Sequence, residues 1–374
     1  MMKYDLVVKG IRIFQAGEWK AWDLAIREKM ISRLSPSGAE KLDAGQTLDF
    51  SGSFASAGWV DLHTHLLPLR SAGIGTRAKR IGLNSGVTAL LDVGTTGAKN
   101  FPLLYEKVIR KSATPVLAFL NIKGSGIRFW QIGVGREKED DLEAMERTLK
   151  NYPGYIKGIK ITASREHMLA EDPLYYMRKA REAGDRLGLP IMVHIGWSPP
   201  SLIDLLPLMK AGDILTHCFR NSDHTILDPS GKIREDILLA KSRGVRFDIG
   251  HGIRSFSFPV AQKALDQGFD DFTISSDLYL LSTPFRAKNF ANVLTKFLAL
   301  GMKLEEVMFR ASSKPAAILG LEREIAPGKP ASITIFRLDQ GRFRLKDCWG
   351  QSRTGNQRII PQAALLEGKF FPAA

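Results

Sequence analysis

The sequence predicts an α/β fold, a (β/α)8 TIM barrel joined to a small β-sandwich domain that both chain ends form. Three observations support this prediction. Short apolar runs alternate with helical stretches through the middle of the chain, both ends carry only strand-like patterns, and chemically reactive side chains concentrate where the apolar runs end. We expect the β domain to comprise residues 1–55 and 325–374, and the barrel to comprise residues 56–324.

The two chain ends resemble each other in pattern. Near the start, residues 6–8, 11–14 and 24–26 are short alternating runs separated by Gly and charged residues. Near the end, Ala331–Phe336 reads as a further strand after the turn sequence PGKP at 327–330. We therefore expect the two ends to pair with each other.

Eight apolar runs in the middle of the chain are predicted strands. They are Trp59–Leu62, Ala89–Val93, Val116–Leu120, Ile156–Ile161, Ile191–Ile195, Asp213–Thr216, Val245–Ile249 and Phe272–Ser275. Segments between them, such as Pro173–Leu187 and Leu202–Lys210, carry apolar residues at the three-to-four spacing of a helix. Eight parallel strands with helical crossovers predict a closed barrel whose active site lies at the carboxyl ends of the strands.

Composition and charge argue against several other classes. The chain has 374 residues, 44% of them apolar, which is enough for a large core. Its net charge of +14 comes from scattered Lys and Arg without a nucleic-acid recognition motif, so we expect no nucleic-acid partner. There is no secretory signal, no apolar run of about 18 residues, and no CxxC motif. We expect a cytoplasmic enzyme with a small-molecule substrate and no membrane partner, and leave a homo-oligomer open.

Metal-binding side chains mark the ends of the predicted strands. In chain order these strand ends carry His63 and His65, Lys160, His194, His217, His251 and Asp277. Residues two apart on a strand share a face, so His63 and His65 project together while Thr64 points away. Imidazoles from several strands suit a borderline ion such as Zn²⁺, and four exceed the three ligands usual for one catalytic zinc. The surplus predicts two divalent metal ions bridged by an anionic group.

Lys160 is the predicted source of that bridge. It lies in the otherwise apolar run Gly158–Ile161, where burial beside cations would favour its neutral amine. A neutral amine can take up CO₂ and become a carbamate, which is anionic. Lys157, three residues earlier and on the opposite face, is the alternative.

These motifs resemble those of the amidohydrolase superfamily. GWVDLHTH is similar to its strand-one HxH motif, GIKITAS to its carboxylated-lysine strand, VHIG and LTHCF to its later metal histidines, and SSDL to its strand-eight aspartate. The chain looks closest to the amidohydrolase/deacetylase group related to dihydroorotases and D-aminoacylases. The resemblance implies two zinc ions, joined by carboxylated Lys160. One would be held by His63, His65 and Asp277, and the other by His194 and His217.

The resemblance also implies a reaction. A hydroxide that bridges the metals would attack the amide or ester carbonyl of a small acylated metabolite, such as an N-acyl-amino acid or an acetylated hydroxy acid. Asp277 would pass a proton to the leaving group. His251, Tyr279 and Arg220 are the expected substrate contacts, and Arg254 is a further candidate for pairing with a substrate carboxylate.

Two departures from the family pattern leave the substrate open. Arg220-Asn221 follows HCF where the group often has Asn-Gly, and Tyr279 stands where the group usually has His. A dihydroorotase-like cyclic amide hydrolase and a metal-dependent deaminase are therefore alternatives. An inactive scaffold or a nucleic-acid binder is disfavoured by the full ligand set and by the lack of a recognition motif. Cys218 is expected to pack in the core.

Overall fold

The computed structural model describes residues 4–68, 74–127, 140–165, 167–169, 171–282 and 286–374. These residues form a mixed α/β fold with two separate sheets. One sheet is built from the two ends of the chain, and the other, which is parallel, is built from the middle.

Fifteen strands occur in the described residues. They are β1 (Tyr4–Gln15), β2 (Glu18–Arg27), β3 (Met30–Pro36), β4 (Ala44–Asp49), β5 (Phe54–Ala57), β6 (Trp59–Thr64), β7 (Val87–Gly97), β8 (Val116–Asn121), β9 (Ile156–Ala163), β10 (Ile191–Ile195), β11 (Ile214–Thr216), β12 (Arg246–Asp248), β13 (Ile333–Lys346), β14 (Ser352–Leu366) and β15 (Lys369–Pro372).

The sheet from the chain ends has the order β15-β14-β13-β5-β1-β2-β3, with β4 also paired to β1. Strand β5 joins the two ends, because it pairs in parallel with β1 and antiparallel with β13. The pairing of the ends is thus observed, although the strands are hydrogen-bonded into one continuous sheet where a sandwich was predicted. The division into domains at residues 55 and 325 stays a prediction.

The middle sheet has the order β12-β11-β10-β9-β8-β7-β6, and all six pairings are parallel. Its seven strands correspond to seven of the eight predicted runs. In β6, Val60 and Leu62 pack in one apolar cluster with Ala316. Because side chains alternate along a strand, Asp61 and His63 face the opposite side of the sheet.

The eighth predicted run, Phe272–Ser275, is not a strand. Around it the structure has only isolated parallel bridges, from Thr273 to Asp248 of β12 and from Leu278 to Thr64 of β6. Two residues after the run, the backbone at Asp277 is left-handed, with φ of 49°, so an extended strand does not continue through Asp277. The segment nevertheless lies between β12 and β6, the two ends of the parallel sheet's strand order.

Ten α-helices occur in the described residues. They are α1 (Ala78–Ile81), α2 (Phe101–Lys107), α3 (Leu142–Asn151), α4 (Tyr175–Leu187), α5 (Leu202–Leu205), α6 (Glu235–Ser242), α7 (Phe258–Asp266), α8 (Phe290–Ala299), α9 (Leu304–Ala311) and α10 (Ser313–Leu319). Short 3-10 helices follow at Leu83–Ser85, Ile109–Lys111 and Leu206–Leu208.

Side-chain caps fix where several of these helices begin. Asp141, Ser201, Ser257 and Asn289 each accept a hydrogen bond from a backbone N–H in the first turn, at the starts of α3, α5, α7 and α8. A cap of this kind stabilises a helix by about 1 kcal/mol.

Among the described helices, none combines the length and apolar character needed to cross a membrane.

Candidate metal centre

The carboxyl ends of the parallel strands bring five of the predicted metal ligands together. Ligand atoms of His63, His217 and Asp277 all lie within 4.8 Å of one another, and the three residues are buried. Nε2 of His65 lies 3.3 Å from Oδ1 of Asp277. Nδ1 of His194 lies 2.7 Å from Nε2 of His217. Residues separated by up to 214 positions in the sequence therefore form one compact cluster.

Unusual backbone conformations aim two of these side chains. His217 has φ of 72° and Asp277 has φ of 49°, in the left-handed region that non-glycine residues seldom adopt. Both residues directly follow buried segments at strand ends, where a change of backbone direction turns the side chain into the cluster. Strain of this kind occurs often at functional sites.

Hydrogen bonds fix the ring orientation of His63. The Thr216 hydroxyl has one proton, which it donates to Asp248 Oδ2 at 2.7 Å. The Thr216 oxygen therefore accepts a hydrogen bond from His63 Nδ1, which lies 3.0 Å away. Nε2 of His63 therefore carries the lone pair, and it lies 3.7 Å from Asp277 Oδ1. Partners of this kind hold a metal-binding imidazole in one tautomer.

The other histidines have comparable partners. His217 Nδ1 donates to the Gly250 carbonyl at 2.7 Å, which leaves the lone pair on Nε2, facing His194. His65 Nδ1 lies 2.9 Å from Thr95 Oγ1, and the Thr95 N–H donates to Asp92. Each of these rings thus presents one nitrogen to the cluster and the other to the protein.

The electrostatic setting favours uncharged imidazoles. Burial, as the largest cause, lowers the pKa values of His63, His194 and His217 well below their usual range. Neighbouring Lys160 lowers all three pKa values further, and nearby histidines also lower those of His63 and His194. Histidine must be neutral to bind a metal ion, so these three imidazoles are held in the required form.

Lys160 of β9 is buried in the same place, with 1% of its surface exposed. Its Nζ has no hydrogen-bond partner among the described residues. Burial lowers the pKa of Lys160 to about 7, although the charges of Asp277 and Asp248 act in the opposite direction. Lys157, the alternative in the same strand, is only half-buried. A buried amine without a partner is costly, which indicates that Lys160 has a further ligand or modification.

The donor set fits divalent metal ions. It combines four imidazoles, one carboxylate and a buried, unpartnered amine, which is a set of nitrogen and oxygen donors suited to borderline ions. Which residues would bind which ion stays a prediction, as does the identity of the metal.

Two of the predicted substrate contacts lie beside the cluster. The ring of Tyr279 is half-buried and lies 6.1 Å from that of His65, centre to centre. Burial and the charge of Asp277 raise the pKa of the Tyr279 hydroxyl. The charge of Arg254, an exposed residue, acts in the opposite direction on that pKa. Arg220 is 5% exposed, packs over the ring of Trp197, and lowers the pKa of His194 through its charge. Direct contact with a substrate stays a prediction for both.

His251, the third predicted substrate contact, is fully buried and engaged within the protein. Its Nε2 lies 2.6 Å from Nζ of Lys296, and its Nδ1 lies 2.9 Å from the Gly252 carbonyl. Its ring stacks on Phe256. Sequence reasoning missed Lys296, although a single lysine in the apolar stretch FANVLTKFLA of α8 was a usable signal. Contact between His251 and a substrate stays a prediction.

The remaining histidines and Cys218 lie outside the cluster. His167 is half-buried, and its charge lowers the pKa of His194. His224 is 2% exposed, and burial lowers its pKa. Cys218 is fully buried in the main apolar cluster, where core packing was expected.

Sequence reasoning also missed the buried acids behind the ligands. Asp248 accepts hydrogen bonds from Thr216, Thr273 and Ser275. Asp61 accepts the backbone N–H of Ser276, next to Asp277. An aspartate inside an apolar strand sequence, as in WVDLHTH and VRFDIGHG, is the signal that pointed to them.

Gly252 lies beside Asp277, the residue predicted to transfer a proton. It has φ of 51°, and an added Cβ would lie 2.4 Å from Oδ2 of Asp277. We expect Gly252→Ala to lower kcat by about 10²-fold, because displacing a reacting group by about 1 Å has that effect. Steady-state kinetics and urea unfolding of the purified variant would measure it.

Gly268→Ala is the matched control for this substitution. Gly268 has φ of 76°, but an added Cβ there has no heavy atom within 4 Å. Both variants carry a similar backbone cost of about 1 kcal/mol, so only Gly252→Ala should lose activity. Equal kcat values for the two variants would contradict the contact with Asp277.

This chain is similar in sequence to known deacetylases. A deacetylase of Enterococcus faecalis is 31% identical over 383 residues, which cover 99% of this chain and 100% of the relative. A deacetylase of Brucella anthropi is 30% identical over 351 residues, covering 91% of this chain and 84% of the relative. No family model matches the chain.

Solved structures give a similar result. One described as an adenine deaminase superposes with a TM-score of 0.90 at 29% identity, and it covers 99% of this chain and 100% of its own. One described as a dihydroorotase superposes with a TM-score of 0.87 at 28% identity, covering 99% and 98%.

Proposed function

The chain belongs to the amidohydrolase superfamily, and from that membership we propose that it is a binuclear metal-dependent hydrolase of a small acylated metabolite. It is a hydrolase acting on C–N bonds. The observation that carries the proposal is the cluster of four histidines, Asp277 and the buried Lys160 amine at the strand ends.

The six residues of this cluster would hold the metal ions. We assign His63, His65 and Asp277 to one ion, and His194 and His217 to the other. When bound, two divalent ions supply a Lewis acid for the carbonyl and lower the pKa of water towards neutrality. Zn²⁺ is the ion that this donor set suits best.

Lys160 would join the two ions as a carbamate. Its buried Nζ has no partner, and its lowered pKa makes the neutral amine available near pH 7. The amine nitrogen bonds to the carbon of CO₂ and releases one proton, which leaves an anion. That anion would supply the negative charge and the oxygen donors that the buried, histidine-rich surroundings of Lys160 otherwise lack.

Asp277 would move the proton. Its side chain is 11% exposed, more than those of His63 and His65 at 1% and 6%, so its carboxylate reaches the open side of the cluster. The carboxylate can take a proton from the attacking water and give it to the leaving nitrogen or oxygen. The hydrogen bond from its own N–H to the His63 carbonyl, 2.7 Å long, holds the residue in place.

We also propose that the parallel sheet closes into an eight-stranded barrel, with the segment around Thr273–Leu278 in the eighth position. The bridges from this segment to both β12 and β6 support closure. Closure would place the six residues around one opening, as in barrel enzymes generally.

The proposed substrate is an N-acyl-amino acid or an acetylated hydroxy acid. Cations beside the cluster, Arg220 and Arg254, would pair with a carboxylate on such a molecule. Opening of a cyclic amide is the second candidate, because one structural neighbour is described as a dihydroorotase. Deamination is the third, since another is described as an adenine deaminase.

A substrate screen tests the proposal. The Zn²⁺-loaded protein would be assayed with N-acyl-amino acids, acetylated hydroxy acids, dihydroorotate and adenine. We expect acyl hydrolysis that chelator abolishes and added Zn²⁺ restores. Turnover of adenine or dihydroorotate alone would replace the acyl proposal by the corresponding alternative. Acyl turnover that survives complete removal of metal would contradict it.

A further inference from the structure

A basic cavity lies next to the metal centre. We define it by Arg77, Lys79, Arg80 and Lys288, four exposed cationic residues that line a space of about 910 Å³. None of the six proposed metal ligands lines this space. The basic cavity is therefore a feature that the proposed function does not use.

The four cations are not neutralised by the protein. Within the described part of the chain, none of them forms an ion pair, and the only acidic group in the cavity lining is the terminal carboxylate of Ala374. Many other exposed cations are paired, such as Arg110 with Glu106 and Lys210 with Asp185. Four like charges around one concave surface repel one another, and an anionic ligand would relieve that repulsion.

Two adjoining cavities extend the same charge. The first adjoining space, of about 490 Å³, is lined by Arg77 and Lys79 of the basic cavity and also by Lys111. The second, of about 270 Å³, is lined by Lys288 of the basic cavity and also by Arg344 and Lys346. Cations that are far apart in the sequence thus lie around adjoining concavities.

The backbone supports a specific role for Lys288. Its φ of 62° lies in the left-handed region, which a residue with a Cβ adopts at an energetic cost. It stands one position before Asn289, which caps the 10-residue helix α8. A strained lysine at a cavity wall is a feature found at ligand sites.

We propose that the basic cavity binds a small molecule carrying two or more phosphate groups. Four cations suit a ligand with several negative charges better than they suit a ligand with a single carboxylate. Arginine also binds phosphate with two parallel hydrogen bonds. The volume is that of a small-molecule pocket. Among the described residues, the lining has no aromatic side chain on which a base could stack, which argues against a single-stranded nucleic acid.

The cavity shares segments with the metal centre. Thr76, in its wall, donates its N–H to the His65 carbonyl at 2.9 Å, and Leu280 follows Asp277 by three residues. A ligand in the basic cavity would therefore contact the segments that follow two of the proposed metal ligands, without contacting the metal ions.

Calorimetric titration with fructose 1,6-bisphosphate tests this proposal at an ionic strength of about 0.15 M, where charges farther apart than about 8 Å are largely screened. We expect one binding site per chain. Arg77→Gln/Lys288→Gln should weaken binding about tenfold or more, because two charge-assisted contacts are lost. Arg246→Gln/Lys232→Gln, which removes the same two charges from exposed positions elsewhere, should leave the affinity unchanged.

The same titration is run on metal-free protein, where equal affinity is expected because no proposed metal ligand lines the cavity. Binding only in the presence of metal would overturn the proposal, since the bisphosphate would then sit on the ions. Equal weakening in the two double variants, or no binding to either form, would also overturn it. Tighter binding of a DNA oligonucleotide that the first double variant abolishes would assign the surface to nucleic acid.

Discussion

Asp277→Asn is expected to lower kcat by about 10²–10⁴-fold, the usual contribution of a positioned acid–base group. The amide has the size of the carboxylate and keeps one oxygen that can bind metal, but it cannot accept the proton of the attacking water. The variant should therefore retain most of its metal and its fold. Steady-state kinetics, elemental analysis and thermal unfolding would be measured together.

Asp270→Asn is the control for this prediction. Asp270 lies in the segment just before the eighth predicted run. Its side chain is 69% exposed, and its Oδ1 lies 4.0 Å from Nζ of Lys241. Its replacement should change neither kcat nor metal content. Near-normal turnover by Asp277→Asn would show that Asp277 does not transfer the proton, whether or not it binds metal.

Lys160→Met is expected to lower metal content and kcat together, the latter by at least about 10²-fold. Even a residue that only supports a ligand typically changes metal affinity or activity by about 10–100-fold, and Lys160 is proposed to bind both ions itself. Methionine fills similar space but cannot form a carbamate. Isotopically labelled bicarbonate should give a carbamate signal in the NMR spectrum of the unmodified protein and none in the variant.

Lys157→Met provides the comparison within the same strand, since Lys157 is half-buried and Lys160 is 1% exposed. It should keep both metal and activity. The free energy of unfolding of the metal-free Lys160→Met chain should not fall, because an apolar side chain replaces a buried amine without a partner. A large loss of stability in that variant would indicate a structural role for Lys160 instead.

That the candidate ligands lie close together was predictable because it depends on local geometry. The alternation of side chains along β6, continued one residue past its end, predicts that His63 and His65 lie together, and their ring centres are 5.7 Å apart. The apolar run around Lys160 likewise predicts a buried amine, and the structure places it among the histidines. Seven of the eight predicted strands were also found, since buried parallel strands are continuous apolar runs.

The rest depends on contacts between distant segments, which one sequence does not specify. The eighth run reads as a strand, but Asp277 adopts a left-handed backbone and the segment forms only isolated bridges. His251 looked accessible between two glycines, whereas Lys296, 45 residues later, occupies its Nε2. The basic cavity joins Lys288 to residues about 210 positions away, so its charge is dispersed when the sequence is read in order.

Elemental analysis of the protein purified without chelator tests the central claim most directly. Six side chains that converge from five separate segments are proposed to hold a pair of cations, so the measurement should give two divalent transition-metal ions per chain. His194→Ala/His217→Ala should reduce that number to one or fewer. A protein that contains no transition metal, and takes up none from added Zn²⁺, would contradict the account.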